Sequence, residues 1–139
     1  MTIADDLIRD EGLRLKPYRD TVGKLTIGVG RNLDDVGITE TEARVLLDND
    51  IAIAEAGLDG SYPWFATSPE PVRRGLTNMA FQLGVRGLAA FQNMLGALAA
   101  QDYAKAALEA ENSEWAIQVP ARAQRIANLF KGAVNGTST

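Results

Sequence analysis

The period with which apolar and polar residues alternate changes along the chain, and each change predicts a different element. After a turn at residues 22–24, apolar residues recur at every second position, which predicts a small antiparallel sheet within residues 13–33. Before the sheet, we predict a short helix over residues 3–11, with Thr2 as its N-cap and Gly12 as its stop. The chain therefore opens with a helix and a small sheet.

A longer helical period follows the sheet. Thr39 and Glu42 have the spacing of a capping box, and Ile38 can act as a hydrophobic staple, so the helix begins here. One apolar face then continues to Gly57, which we interpret as the end of the helix; its members are Ala43, Leu46, Leu47, Ile51 and Ala54. A helix of about 18 residues spans roughly 27 Å, long enough to connect two lobes.

Beyond Gly57 the pattern is wholly helical, after a loop or broken helix over residues 59–71 that holds three of the five prolines. We predict five helices here. The first two cover Val72–Leu83, where Gly84 ends the helix, and Leu88–Ala100. Asp102 caps the third and Ser113 caps a short fourth, and the fifth runs from Pro120 to about Lys131 with Ile126 and Phe130 facing inward. We expect the tail, residues 132–139, to fray. The prediction is an α+β fold: a mixed lobe (1–57) joined by its long helix to a helical lobe (58–139).

Composition restricts the chemistry. The 139 residues include no cysteine and no histidine, which excludes disulfides, thiolate or imidazole metal sites, and histidine-based catalytic triads. Acid–base chemistry must then fall to carboxylates, helped by hydroxyls and arginines, and we expect neither a metal nor a cofactor. The net charge of −4 shows no basic stripe, so nucleic-acid binding is not supported.

Two further sequence features bear on location. No window of 18 consecutive apolar residues is present, so we expect no membrane insertion. Residues 1–6 are acidic and lack the basic start and apolar stretch of a signal peptide, so we expect that none is present.

Glu11, Asp20 and Thr26 form the strongest chemical candidate, since two carboxyl groups with opposite roles are the machinery of glycoside hydrolysis. Each residue has a simpler explanation alone: Glu11 as a surface carboxylate, Asp20 as a turn cap, and Thr26 as an ordinary strand residue. The negative end of the first helix disfavours ionisation of Glu11, which suits a proton donor. A hydrated turn would keep Asp20 ionised. Gly30 is expected where backbone or ligand approaches closely.

At this point the chain resembles a known family. The segment from Glu11 to Gly30 is similar to the active-site segment of the phage-type lysozymes, glycoside hydrolase family 24, most closely its T-even type. The resemblance continues in the same order along nearly the whole chain, through residues 37–50, 73–84 and 115–125. It implies the lysozyme-like fold, in which the two lobes described above have a cleft between them.

The resemblance also implies roles. Glu11 matches the general acid, Asp20 the general base or cation stabiliser, and Thr26 the residue that positions water. Arg122 is placed beside Glu11. Substrate contacts are implied at Tyr18, Gly30, Leu33, Phe81, Gln82 and Trp115, although packing explains Tyr18, Leu33 and Phe81 equally well.

The chain departs from the family pattern at Arg31, where the family usually has a histidine paired with a carboxylate on the long helix. Asp50 matches the position of that carboxylate, so we predict an Arg31–Asp50 ion pair. Residues 32–37 also replace a longer stretch, which predicts a trimmed first lobe. The acidic net charge predicts weak steering toward an anionic cell wall at low salt.

The resemblance implies a muramidase that cleaves the β-1,4 bond between N-acetylmuramic acid and N-acetylglucosamine in peptidoglycan, with inversion at the anomeric carbon. A lytic transglycosylase and a non-catalytic peptidoglycan-binding module remain alternatives. We expect a monomeric phage endolysin that stays in the host cytoplasm until a separate holin releases it to the wall; a virion-borne role remains an alternative.

Overall fold

The structure is a computed structural model that describes residues 1–134; the remainder of the predicted frayed tail, residues 135–139, lies outside the described residues. Its elements are α1 (Ile3–Glu11), β1 (Arg14–Arg19), β2 (Leu25–Gly28), β3 (Arg31–Asn32), α2 (Glu40–Ser61), α3 (Glu70–Leu88), α4 (Gln92–Ala99), α5 (Tyr103–Glu111), α6 (Glu114–Gln118) and α7 (Pro120–Val134). The predicted α+β class is confirmed. Two compact units divide at residues 46 and 47, inside α2.

In the first unit, α1 has the bounds predicted from its caps. The Thr2 hydroxyl accepts a hydrogen bond from the Asp5 amide at 3.2 Å, and the Asp5 carboxylate accepts one from the Thr2 amide at 2.9 Å. The hydrogen bonds that the Thr2 amide and the Thr2 hydroxyl donate to the Asp5 carboxylate lower the pKa of Asp5. At the other end Gly12 has a φ of +80° and its amide bonds to Ile8 O, which leaves Glu11 as the last residue of the helix.

The predicted sheet is also confirmed, with the antiparallel order β1-β2-β3. Tyr18 lies opposite Thr26, and Thr26 lies opposite Asn32. The pairing of β1 with β2 is irregular between Arg14 and Tyr18, so β1 bulges there. The strands β1 and β2 meet at a turn in which Gly23 has a φ of +83°.

The capping box predicted for α2 is present: the Glu42 amide donates to Thr39 Oγ1 at 3.1 Å and the Thr39 amide donates to Glu42 Oε1 at 2.9 Å. The predicted end at Gly57 is wrong, because α2 continues to Ser61. Gly57 instead allows close packing of Val85 against α2. A Cβ at this position would lie 2.9 Å from Val85 Cγ2, so only glycine lets Val85 approach the helix this closely.

Gly84 breaks α3 as predicted, with φ +74° and ψ 158°, but a last helical turn follows to Leu88. The helix predicted from Leu88 therefore begins only at Gln92. Asp102 and Ser113 cap α5 and α6 as predicted, and Pro120 opens α7. The last helix runs to Val134, so residues 132–134, predicted to fray, are helical.

The core lies in the second unit, where α3, α4, α5 and α7 pack together. Its largest fully buried side chains are Phe130, Leu58, Leu76, Met79, Leu88, Met94, Leu98, Ile126 and Val72, which confirms the inward faces predicted for Ile126 and Phe130. Among the described residues, no helix is long and apolar enough to cross a membrane.

Gly75 marks the tightest approach of α3 to α7, and substitution there tests this packing. A Cβ at Gly75 would lie 2.7 Å from Phe130 Cε1 and 3.3 Å from Ile126 Cγ2, both on side chains with 1 % exposure or less. We predict that Gly75→Ala lowers the free energy of unfolding by about 1–2 kcal/mol, since overpacking exceeds the gain in helix propensity. Urea unfolding measures the change.

Gly96→Ala is the matched control, because Gly96 lies within α4 and a Cβ there would meet nothing within 4 Å. The substitution then acts only through the higher helix propensity of alanine, and we expect it to raise the free energy of unfolding by about 0.5–1 kcal/mol. Equal effects of the two substitutions would contradict the packing assigned to Gly75.

Candidate active site

Glu11 ends α1 with an exposed side chain that reaches the turn between β2 and β3. A Cβ built on Gly30 would lie 3.4 Å from Glu11 Oε2, so the carboxyl group lies against the backbone of this turn. Gly30 has a φ of +71°, which favours glycine over any other residue. The structure therefore brings together Glu11 and Gly30, two of the predicted site residues.

Asp20 is held by the turn that follows β1. Its Oδ1 accepts hydrogen bonds from the amides of Val22, at 2.9 Å, and Lys24, at 2.8 Å. Its own amide donates to Lys24 O at 2.9 Å. Within the described part of the chain no donor reaches Oδ2, so one carboxylate oxygen is fixed by the backbone and the other is available to a ligand. The two explanations offered by the sequence, turn cap and functional group, are thus compatible.

Thr26 on β2 is almost fully buried, with 3 % exposure. Its hydroxyl donates its only proton to Lys24 O at 2.9 Å. The Thr26 oxygen can therefore only accept a further hydrogen bond. Through its N–H and its C=O, the backbone of Lys24 contacts both Asp20 and Thr26. Asp20 Oδ2 and Thr26 Oγ1 each therefore keep the capacity to accept one further hydrogen bond.

Tyr18 lies on the same face of the sheet as Thr26, because the two residues are directly paired across β1 and β2. Its side chain is half-buried, and the Arg14 guanidinium lies 4.2 Å from the centre of its ring. Leu33 follows β3, where its amide donates to Leu25 O at 2.7 Å. Tyr18 thus shares a face with a candidate catalytic residue, whereas the backbone of Leu33 extends the sheet.

The prediction that Arg31 pairs with Asp50 is wrong, because Arg31 pairs with Glu42. Arg31 Nη1 donates to Glu42 Oε1 at 2.8 Å and Nη2 donates to Oε2 at 2.7 Å, a two-pronged pair, and Nη1 also donates to Gly37 O at 3.1 Å. The physical reason is that Glu42 is already oriented by the Thr39 amide in the first turn of α2. The sequence assigned Glu42 to the capping box of α2, but it did not reveal that the same carboxylate can also pair with Arg31.

This ion pair shifts the pKa of both partners. Hydrogen bonds from Arg31 and from the Thr39 amide lower the pKa of Glu42 from 4.5 to about 2. Glu42 in turn raises the pKa of Arg31. The pair connects β3 to the start of α2 within the first unit.

The remaining predicted site residues belong to the second unit. Trp115 Nε1 donates to Gln82 Oε1 at 2.9 Å, and the Trp115 ring meets Phe91 edge-on at 5.9 Å. Phe81 and Arg122 line one cavity of about 490 Å³.

Arg122 is held by an interaction that the sequence did not reveal: its Nε donates to Asn78 Oδ1 at 2.8 Å. Asn78 stands in a segment that the family resemblance covered, but no role was assigned to it. The placement of Arg122 beside Glu11 stays a prediction.

The Arg31–Glu42 pair predicts a specific dependence of stability on pH. Because folding lowers the pKa of Glu42 from 4.5 to about 2, its contribution is fully present above about pH 4.5 and is lost as the pH falls toward 2. We expect Glu42→Gln to lower the melting temperature at pH 6, with a difference from the wild type that shrinks between pH 4.5 and pH 2. Thermal unfolding followed by circular dichroism across this range measures it.

Glu40→Gln is the control, since Glu40 pairs with Arg44 on the exposed surface of the same helix turn. Such a pair contributes little. A constant difference between Glu42→Gln and the wild type from pH 6 to pH 2 would contradict the assigned pair.

Comparison with known proteins gives a consistent result. The model of the phage lysozyme family matches residues 9–130. The chain is 34% identical to the pre-baseplate central spike protein Gp5 of Enterobacteria phage T4, over 94% of this chain but only 28% of that protein's length. It is 30% identical to probable T4-type lysozyme 1 of Dictyostelium discoideum, over 96% of both chains. A SAR-endolysin of Bacteriophage PS34 is 33% identical over 53% of this chain and 46% of that protein. With the α+β fold and the helix–sheet placement of its carboxylates, this chain belongs to the phage lysozyme family of glycoside hydrolases.

Proposed function

We propose that the chain is a muramidase that hydrolyses the β-1,4 bond between N-acetylmuramic acid and N-acetylglucosamine in peptidoglycan. Membership in the phage lysozyme family supports a peptidoglycan substrate. The observation that carries the finer proposal is the pair of acceptors, Asp20 Oδ2 and Thr26 Oγ1, organised by the backbone of Lys24. This arrangement is suited to a water nucleophile.

In the proposed reaction, Glu11 donates its proton to the glycosidic oxygen as the bond to the anomeric carbon breaks. A water held by Asp20 and Thr26 attacks the opposite face of the sugar. It donates one hydrogen bond to each residue, so that a lone pair on its oxygen is free for the anomeric carbon. Asp20 takes the proton that the water loses. Attack by water opposite the leaving group inverts the configuration and requires no covalent intermediate.

The same arrangement favours hydrolysis over the two alternatives. A lytic transglycosylase closes an internal ring with the substrate's own hydroxyl and needs no residues to hold water. A non-catalytic binding module needs neither the proton donor nor the acceptor pair. A free acceptor on Asp20 and another on Thr26 therefore favour a hydrolase over either alternative.

We propose further that the protein acts as a monomeric phage endolysin in the lysis of a bacterial host. The similarity to the PS34 SAR-endolysin supports this role. In this proposal the protein remains in the host cytoplasm until a separate holin gives it access to the wall. Loss of lysis in the absence of a holin, with lysis restored by chloroform, would support this route.

The proton-donor role of Glu11 predicts the effect of removing its acidity. We expect Glu11→Gln to reduce lysis by about 10²–10⁴-fold, the usual contribution of general acid catalysis. The assay is loss of turbidity by chloroform-treated Gram-negative cells, together with release of reducing ends from purified peptidoglycan. Asp10→Asn is the matched control, because Asp10 is an exposed neighbouring carboxylate that pairs with Arg9. Equal activity of Glu11→Gln and the wild type would reject the assignment.

The acceptor role of Thr26 predicts a difference between a substitution that keeps the hydroxyl and an isosteric substitution that removes it. Thr26→Ser keeps the hydroxyl and should retain most activity, whereas Thr26→Val should reduce kcat by about 10- to 100-fold, because the water loses its position. Lys24 O keeps the Asp20 amide as a donor in both variants, so the melting temperatures should remain close. A Thr26→Val variant as active as Thr26→Ser would show that the hydroxyl does not hold the water.

A further inference from the structure

The first unit neutralises its positive charges with two exceptions. Of the seven basic side chains in residues 1–46, five form ion pairs with carboxylates: Arg9 with Asp6 and Asp10, Arg19 with Asp34, Lys24 with Asp35, Arg31 with Glu42, and Arg44 with Glu40. Arg14 and Lys16 make no ion pair with any described residue. Both are exposed, and both lie on β1.

Strand β1 carries these two cations between Glu11, at the end of α1, and Asp20, in the turn that follows the strand. Among the described residues, β1 is an edge strand that pairs with β2 alone. The Arg14 guanidinium stacks on Tyr18, and none of its N–H groups donates to an acceptor within residues 1–134. Tyr18 in turn is paired with Thr26, and β1 leads directly to Asp20.

We propose that Arg14 and Lys16 bind the carboxylates of the peptide stems on the glycan strand that is cleaved. The proposal rests on the muramidase function proposed above and adds a site for the peptide part of the substrate. The chain as a whole carries a net charge of −4 and repels a polyanion. Two unpaired cations beside the catalytic groups provide attraction where the substrate must bind, and a guanidinium is well suited to grip a carboxylate with two hydrogen bonds.

Charge complementarity favours the stems over a lipid surface. In a strand that carries stems, the lactyl carboxyl of each N-acetylmuramic acid is bound in an amide to its stem, so the negative charge of the polymer lies on the carboxylates of the stems. Segments that bind anionic lipids usually bring roughly four to eight basic residues together. Strand β1 brings only two unpaired ones, next to a site for a glycan.

The test compares Arg14→Gln/Lys16→Gln with the charge-matched control Arg44→Gln/Lys105→Gln, whose two cations are exposed and distant in sequence from β1. Each protein is assayed on soluble glycan strands that carry stems and on strands from which an amidase has removed them and whose freed lactyl carboxyl groups have been capped as methyl amides. We expect the β1 variant to raise KM about three- to tenfold on stem-bearing strands at low salt, with kcat unchanged and no effect on stripped strands. The control should change KM little, and equally on both substrates.

Cosedimentation with intact peptidoglycan sacculi gives a readout that needs no activity. If the wild type cleaves neither substrate, the muramidase proposal fails, while weaker cosedimentation of the β1 variant than of the control would still support the stem site. Equal behaviour of the β1 variant and the control in both assays would overturn it. Weaker binding of the β1 variant to phosphatidylglycerol vesicles, with both peptidoglycan assays unchanged, would also overturn the proposal and would assign the two cations to a membrane.

Discussion

The candidate site depends on the backbone of one residue, Lys24. Its N–H fixes one oxygen of Asp20, and its C=O accepts both the Asp20 amide and the Thr26 hydroxyl. Because these bonds are short and local, the turn between β1 and β2 determines the direction of two functional side chains at once. A hydroxyl whose proton is already used can only accept, and this property fits the role proposed for Thr26 as an acceptor for water.

Glu11 is positioned by a different but equally local device. Gly12 ends α1 with a positive φ, so Glu11 stands at the last turn of the helix, and the glycine turn at Gly30 brings the sheet against its carboxyl group. The Arg31–Glu42 pair then ties the end of the sheet to the start of α2. Helix end, turn and ion pair all lie within residues 1–46, so the proposed acid, base and water-holding hydroxyl belong to one compact unit.

Features with local causes could be predicted from the sequence. The caps at Thr2, Thr39, Asp102 and Ser113 and the turn before β2 follow from short-range hydrogen bonds, and the structure has them. Features set by tertiary contacts could not. Gly57 has the signature of a helix stop, yet it lies inside α2 because Val85 occupies the space of its side chain. Asp50 matched the family position for a partner of Arg31, yet Glu42 was already oriented by its cap.

The central claim is that water, held by Asp20 and Thr26, attacks the sugar opposite the bond that Glu11 protonates. The most direct measurement is the structure of the first products released from purified peptidoglycan, followed by NMR of the anomeric proton and by mass spectrometry. The account predicts fragments with a reducing N-acetylmuramic acid end that appear first as the α-anomer. A β-anomer formed first would indicate a retaining route, and 1,6-anhydro ends would indicate a transglycosylase; either would contradict the account.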